Sequence, residues 1–583
     1  MPSTTALFSA MSGLNANARN IDVIGNNVAN IGTTAFKSSR LTFSSMFART
    51  LSGGTSPGDT TGGTNPYQIG LGVNTAGTQR NMNGGALSPT GDARDLAIDG
   101  KGWFVVDRGG EQLYTRAGSF RSNALGELTT LGGQRLLGYG VDENFNLVTG
   151  ALGPLSIPLG SMTIAQATTS VRFSGNLDAD ASIAAQGARV TLGGTATDGL
   201  RALSTAAPAP TFPNVLEDTT RLVDVEDPST TGSPLFAAGQ RIEIRGAEKG
   251  GRTLPAASLD IGTATTIADL NAFLTRALGL NTTTGANPDS FTPGVTVDPL
   301  TGVLTIVGNI GSANDLDIDS ADLRLLDGSG SLVRLPFVSS KAAAADGESV
   351  RTTYVVFDSL GAPVEVDTTL VLEGRSNAGT QWRYYVESPD GTGVIQPVAT
   401  GTLAFDTQGQ AVSRLPVTVA IDRTGTGAAT PLAVALEFAR DDGGLTALAS
   451  DRSQFAATFR DGAPLGTLTA FSIGADGVVS GIFTNDLVRP LGQVVLATFT
   501  NDEGLLDMGA GLFKSGSNSG TAVIAQPGTF GAGEVISGAL EQSNVDLGEE
   551  FIRLVLSSTG YSASSRIIRT TDELMQQLLV LGR

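Results

Sequence analysis

Residues 538–583 read GALEQSNVDLGEEFIRLVLSSTGYSASSRIIRTTDELMQQLLVLGR, and the architecture turns on them. Asp546 with Glu549 three residues later is a helix start: the aspartate can accept from an exposed amide and the glutamate can reach back. From there Leu547, Leu554, Tyr561, Ile568 and Met575 recur every seven residues, one apolar column on a helix. The companion column, Phe551, Ser558, Ser565, Asp572 and Leu579, is mostly small or polar. A helix with one narrow apolar stripe makes no core by itself and needs a partner.

The other end of the chain supplies one. Leu7, Leu14, Ile21 and Val28 form a second seven-residue column, with Met11, Ala18 and Gly25 beside it. Two helices that each carry a bulky and a small column can approach closely, bulky against small. The expected unit is therefore a coiled coil of the two termini, and the spacing is compatible with parallel or antiparallel pairing. The candidate assembly residues are Leu7, Met11, Leu14, Ile21, Val28, Leu547, Phe551, Leu554, Tyr561, Ile568 and Met575. The first helix is expected to run from about residue 4 to Asn30, where Asn30 and Gly32 tolerate the left-handed backbone of a stop.

Between the ends the pattern is that of short strands. A chain of 583 residues is too long for one core. Its 76 glycines are scattered with Asp, Asn, Ser and Thr, which is turn chemistry suited to many short strands. A formal net charge of −19 argues against a nucleic-acid partner, because phosphate would be repelled. With no Cys and no His, disulfides, thiol nucleophiles, zinc–thiolate sites and the commonest general base are all removed. The first twenty residues lack a basic start and an unbroken apolar run, so no secretory leader is read there. No stretch approaches the roughly 20 apolar residues of a membrane span.

Residues 51–66, LSGGTSPGDTTGGTNP, have linker composition. Strand-like runs follow at 96–98, 103–106 and 113–114, separated by glycines. Residues 353–357, the turn Asp358-Ser359-Leu360-Gly361 and a strand after Pro363 read as a hairpin. One helix is expected over 266–278, with Ile267, Leu270, Phe273, Leu274 and Leu278 inward and Thr265 or Thr266 as its cap. Asp315, Asp317, Asp319 and Asp322 alternate as calcium loops do, but Ser320 and Leu326 stand where an EF-hand wants Gly and Glu. A strand with Leu316 and Ile318 inward is the better reading. Gly70-Leu71-Gly72 lacks the third glycine and the surrounding unit of a dinucleotide loop, and reads as a turn.

Four ordered motifs resemble the flagellar hook and rod family: NNVANIGTTAFK at 26–37, DLAIDGKGWFVV at 95–106, YTRAGSF at 114–120 and SNVDLGEEF at 543–551. Residues 350–373 and 381–387 are similar to the outer domain of its longer members, and residues 489–520 to the return of the chain into the first β domain. Two departures stand out. Ala35 occupies a place where the family usually has Gly. Ser557, Ser558, Thr559 and Gly560 replace long polar residues, which should weaken the helix at its middle.

The expected fold is a mainly β, multi-domain chain with nested insertions and a terminal helical coiled coil. Its parts would be that coiled coil (1–35, 540–583), linker segments packing on assembly (36–75, 521–539), an inner β domain (76–165, 456–520), an outer β domain (166–177, 341–455) and an additional inserted domain (178–340). The resemblance implies a non-catalytic subunit without cofactor or metal. Many copies would stack as a helical homo-oligomer, a flexible tube joining the basal-body rod to the filament and transmitting torque. It further implies export through the flagellar type III apparatus to an extracellular position without a cleaved leader, and contact with rod proteins, a cap and hook–filament junction proteins. A junction or distal-rod subunit, or a surface glycan-binding protein, are the other readings.

Overall fold

The computed structural model describes residues 2–193, 199–204, 215–389, 394–413, 415–440 and 443–581. It divides into two compact units, residues 1–163 with 467–583, and residues 164–466. Among the described residues, no helix is long and apolar enough to cross a membrane.

The first unit holds both long helices, Pro2–Ala29 and Leu547–Leu581. After the N-terminal helix the chain forms a two-stranded ribbon. Ser39–Ser45 pairs antiparallel with Val73–Arg80, and Ala48–Ser52 with Tyr67–Gly70. Bridges Thr55↔Thr64 and Gly58↔Thr61 carry it to its tip. Linker composition did not announce this ribbon. The amides of a Gly- and Thr-rich segment find partners across it, and the Thr55 and Thr64 hydroxyls meet at 2.9 Å. Leu71 lies in it too, its amide donating to Phe47.

Beyond the ribbon, strands from two distant stretches interleave. Trp103–Arg108 pairs with Glu111–Thr115, with Val105 opposite Tyr114. The returning chain adds Leu496–Thr498 against Trp103–Arg108, Leu512–Lys514 against Glu111–Thr115, and Val488–Val494 against Arg135–Val141. Trp103, Val105, Tyr114, Leu137, Val495 and Phe513 share one core. Gly118 of the 114–120 motif admits close backbone approach, since a β-carbon there would stand 1.7 Å from the Leu96 carbonyl oxygen.

Among the described residues, the second unit has two large cores and a small cluster of Ala184, Ile310, Val371 and Tyr385. The strands Ser349–Phe357, Pro363–Ser376, Gly379–Pro389 and Ile395–Phe405 form an antiparallel meander. Its first turn is held by Asp358, whose Oδ1 accepts from the Leu360 and Ala362 amides. Phe173, Tyr354, Trp382, Phe438 and Phe455 fill the core between this meander and the sheet around Ser170–Asp178. The second core, built from residues 188–345 and Ile395, contains the helix Ile267–Ala277. Thr266 caps that helix in a reciprocal pair with Asp269, and Ile267, Leu270, Phe273, Leu274 and Leu278 are buried, as their spacing predicts. Leu316 and Ile318 also point inward. Asp315 accepts from Lys341 at 2.8 Å, and Asp319 with Asp322 caps a short 3-10 turn. A buried ion pair, Lys249 with Glu387, joins the two cores.

Candidate assembly interface

The terminal helices pair antiparallel. Asn27 Nδ2 donates to Glu550 Oε1 at 3.0 Å, and Asn20 Nδ2 to Ser557 Oγ at 2.6 Å. A β-carbon on Gly13 would stand 3.0 Å from Ser564 Oγ. Each step of seven down one helix is thus a step of seven up the other. Between these rungs Gly560 faces Asn17, where a β-carbon would come within 2.9 Å of the amide.

The seam is therefore Glu550, Ser557 and Ser564, three residues on from the apolar column of their helix, against Asn27, Asn20 and Gly13, one residue before theirs; Thr571, next in the series, is also buried. A search for apolar periodicity passes over it. The available signal was the recurrence of small and polar residues at the same spacing, with Asn17, Asn20 and Asn27 on the other helix. The serine- and glycine-rich middle of the C-terminal helix thus has a packing reason: it admits the partner backbone. The helix stays continuous through it, with Thr559, Ser564 and Thr571 hydroxyls each bonding to the carbonyl four residues earlier. Asp546 caps it, accepting from the Gly548 and Glu549 amides at 2.8 and 3.2 Å, while the Glu549 carboxylate turns to Arg553. Asn27 also exchanges hydrogen bonds with the Ser39 backbone, so one fully buried amide sets the register and the ribbon's entry.

The apolar candidates flank this seam. Leu7, Leu14, Ile21, Val28, Leu554 and Ile568 are half-buried, whereas Met11, Leu547, Phe551, Tyr561 and Met575 are exposed. Ile552, Val555, Leu556, Ile567 and Leu574, not singled out by the heptad reading, are 46–67% exposed and make an apolar face along the C-terminal helix.

The helix pair is joined to the β domain by a buried charge cluster. Lys37 Nζ lies 2.6 Å from Glu541 Oε1, and Arg116 Nη1 lies 3.2 Å from Glu541 Oε2. Lys37 also donates to Asn83 O, Arg116 to Ile98 O and Gly100 O, and the Gly85 amide to Glu541 Oε1. Burial pushes the Lys37 ammonium and the Arg116 guanidinium below their ordinary values, against the upward pull of Glu541. All four sequence motifs, or their immediate borders, meet in this cluster: Lys37, Ile98 with Gly100, Arg116 and Glu541. Beside it Ala35 adopts φ 56°, a left-handed conformation costly for a residue with a β-carbon, with its amide donating to Glu541 O at 2.9 Å.

These features define a chain built around its paired terminal helices, with apolar side chains left exposed along the C-terminal one. Family models match in the same places: "Flagella basal body rod protein" at residues 7–37, "Flagellar hook protein FlgE/F/G D1 domain" at 97–176, "Flagellar basal body protein FlaE D2 domain" at 332–463 and "Flagellar basal body rod FlgEFG protein C-terminal" at 536–581. The chain belongs to the flagellar hook and rod family. It is similar to the flagellar hook proteins of Treponema pallidum (26% identical), Borreliella burgdorferi (27%) and Escherichia coli K12 (25%), each alignment covering 99% of this chain and at least 99% of the relative. That end-to-end match makes it a hook-type member of the family. A solved Helicobacter pylori hook protein aligns over 78% of this chain and 100% of its own at 17% identity, with a TM-score of 0.38, too low to support a structural comparison.

Proposed function

We propose that the chain polymerises, head to tail, into the flexible helical tube of the flagellar hook, acting as a structural subunit. The observation that carries this reading is the division of labour on the C-terminal helix: small and polar residues pair with the N-terminal helix, and the bulky apolar ones are left outside. Burying half-exposed side chains such as Ile552, Val555, Leu556, Ile567 and Leu574 would contribute about 1 kcal/mol each. A heterologous contact repeated without closure makes a filament. In this reading Leu7, Met11, Leu14, Ile21, Val28, Leu547, Phe551, Leu554, Tyr561, Ile568 and Met575 border the buried inner face. The polar, Gly-rich β domains lie outside, where contacts of small apolar area exchange cheaply as the tube bends. The tube transmits torque, has no catalytic role, and meets rod, cap and junction proteins at its ends. Its subunits leave the cell through the flagellar type III apparatus.

Leu556→Asp tests this. It places a charge on the exposed face, away from the seam, and should yield a folded, exported monomer that forms no hooks. Hooks of normal length from that variant would contradict the reading.

A further inference from the structure

The chain contains a single Asn-Gly pair, Asn83–Gly84, and it lies beside the buried Lys37–Glu541–Arg116 cluster. Asn83 is exposed and sits outside any helix or strand. Its side-chain amide and the Gly84 amide make no hydrogen bond to the described residues, although the Asn83 carbonyl accepts from Lys37 Nζ at 2.8 Å and Asn544 Nδ2 at 3.0 Å. Asn83 also lines an open polar cleft of about 490 Å³, wide enough for water.

We propose that Asn83 is a site of spontaneous deamidation. The Gly84 nitrogen attacks Asn83 Cγ, losing its proton to solvent. The side-chain nitrogen leaves as ammonia, and a five-membered succinimide closes. One water then opens either ring carbonyl, giving aspartate or isoaspartate. The sum is one water consumed and one ammonia released, with no redox change. Glycine at the following position matters because no side chain hinders the attacking nitrogen. Other asparagines are less well placed. The Asn81 Oδ1 is held by the Asn83 amide at 3.1 Å, and after Asn518 the Ser519 amide is engaged with Gly516 O.

The location gives the reaction a consequence. Isoaspartate inserts a methylene into the main chain at the residue whose carbonyl helps to hold Lys37. Either product adds a carboxylate at the junction between the terminal helices and the β domain. The modification therefore acts on the joint that links the two parts of this unit.

The test is to hold the purified full-length chain at mildly alkaline pH, digest with trypsin, and follow peptide 81–94 by mass spectrometry. The expected result is the mass gain of an amide-to-acid exchange, localised to Asn83 and split between two chromatographic forms. Gly84→Ala should reduce it to the background of the other asparagines. That variant fits, because its β-carbon would approach nothing closer than Glu541 Oε1 at 3.9 Å, whereas one on Gly85 would strike Gln542 O at 2.0 Å. A wild-type peptide that stays unmodified while the urea-denatured chain converts would overturn the proposal, as would conversion undiminished in Gly84→Ala.

Discussion

Glu541→Gln removes the one carboxylate in a cluster that holds two cations. Glu541 is fully buried, and its two oxygens meet Lys37 at 2.6 Å, Arg116 at 3.2 Å and the Gly85 amide at 2.9 Å. A glutamine of the same size keeps a single acceptor and leaves two buried cations with only the weaker pull of Asp502 as counter-charge. Breaking a buried pair by removing one partner costs about 3–5 kcal/mol. Set against a typical domain stability of about 5–15 kcal/mol, that is a large fraction. With a urea dependence of about 1–3 kcal/mol per molar, the unfolding midpoint of the unit containing both termini should fall by roughly 2 M. The assay is urea unfolding followed by the fluorescence of Trp103, which lies in that unit and whose indole donates to Asp502 at 3.0 Å; Trp382 belongs to the other unit, so Trp382→Phe isolates the signal. A cycle with Lys37→Met should show coupling above about 1 kcal/mol, since the residues touch. A loss below about 1 kcal/mol for Glu541→Gln, with additive effects in the cycle, would refute the keystone role.

Other expectations follow from single residues. Ala35→Gly should stabilise the same unit: relief of a left-handed alanine is worth about 1–2 kcal/mol and glycine's extra freedom returns about 0.5–1. A lowered melting temperature would contradict this. Gly560→Val should separate the helices at Asn17, where even a β-carbon comes within 2.9 Å, and reduce helical circular dichroism of the isolated monomer. Unchanged helicity would show that the seam does not hold the helix. Burial raises the phenols of Tyr354 and Tyr385 well above the ordinary tyrosine value. They stay neutral in the folded unit but ionise near pH ~10 once unfolded, so the folded state binds more protons above that pH. Their contribution is complete below about pH 10 and is lost as pH rises beyond it. Two of the seven tyrosines should therefore titrate in ultraviolet absorbance only on unfolding.

The two long helices, the strands at 96–115, the 353–376 hairpin and the 266-capped helix were legible because each rests on local signals: a cap, a period, a turn residue. The seam was not, because packing through Asn, Ser and Gly carries no hydrophobic period. The 39–80 ribbon was hidden for a related reason. Its pairing is main-chain and hydroxyl chemistry, and its side chains look like those of a linker. The Lys37–Glu541–Arg116 cluster joins residues up to 504 positions apart, and no local pattern encodes it.

The central claim is that this chain builds the hook, and electron microscopy of cells lacking its gene tests it most directly. The account predicts basal bodies that end at the rod, with hooks restored by the wild-type gene and not by Leu556→Asp. Complete hooks in the deletion strain would contradict it.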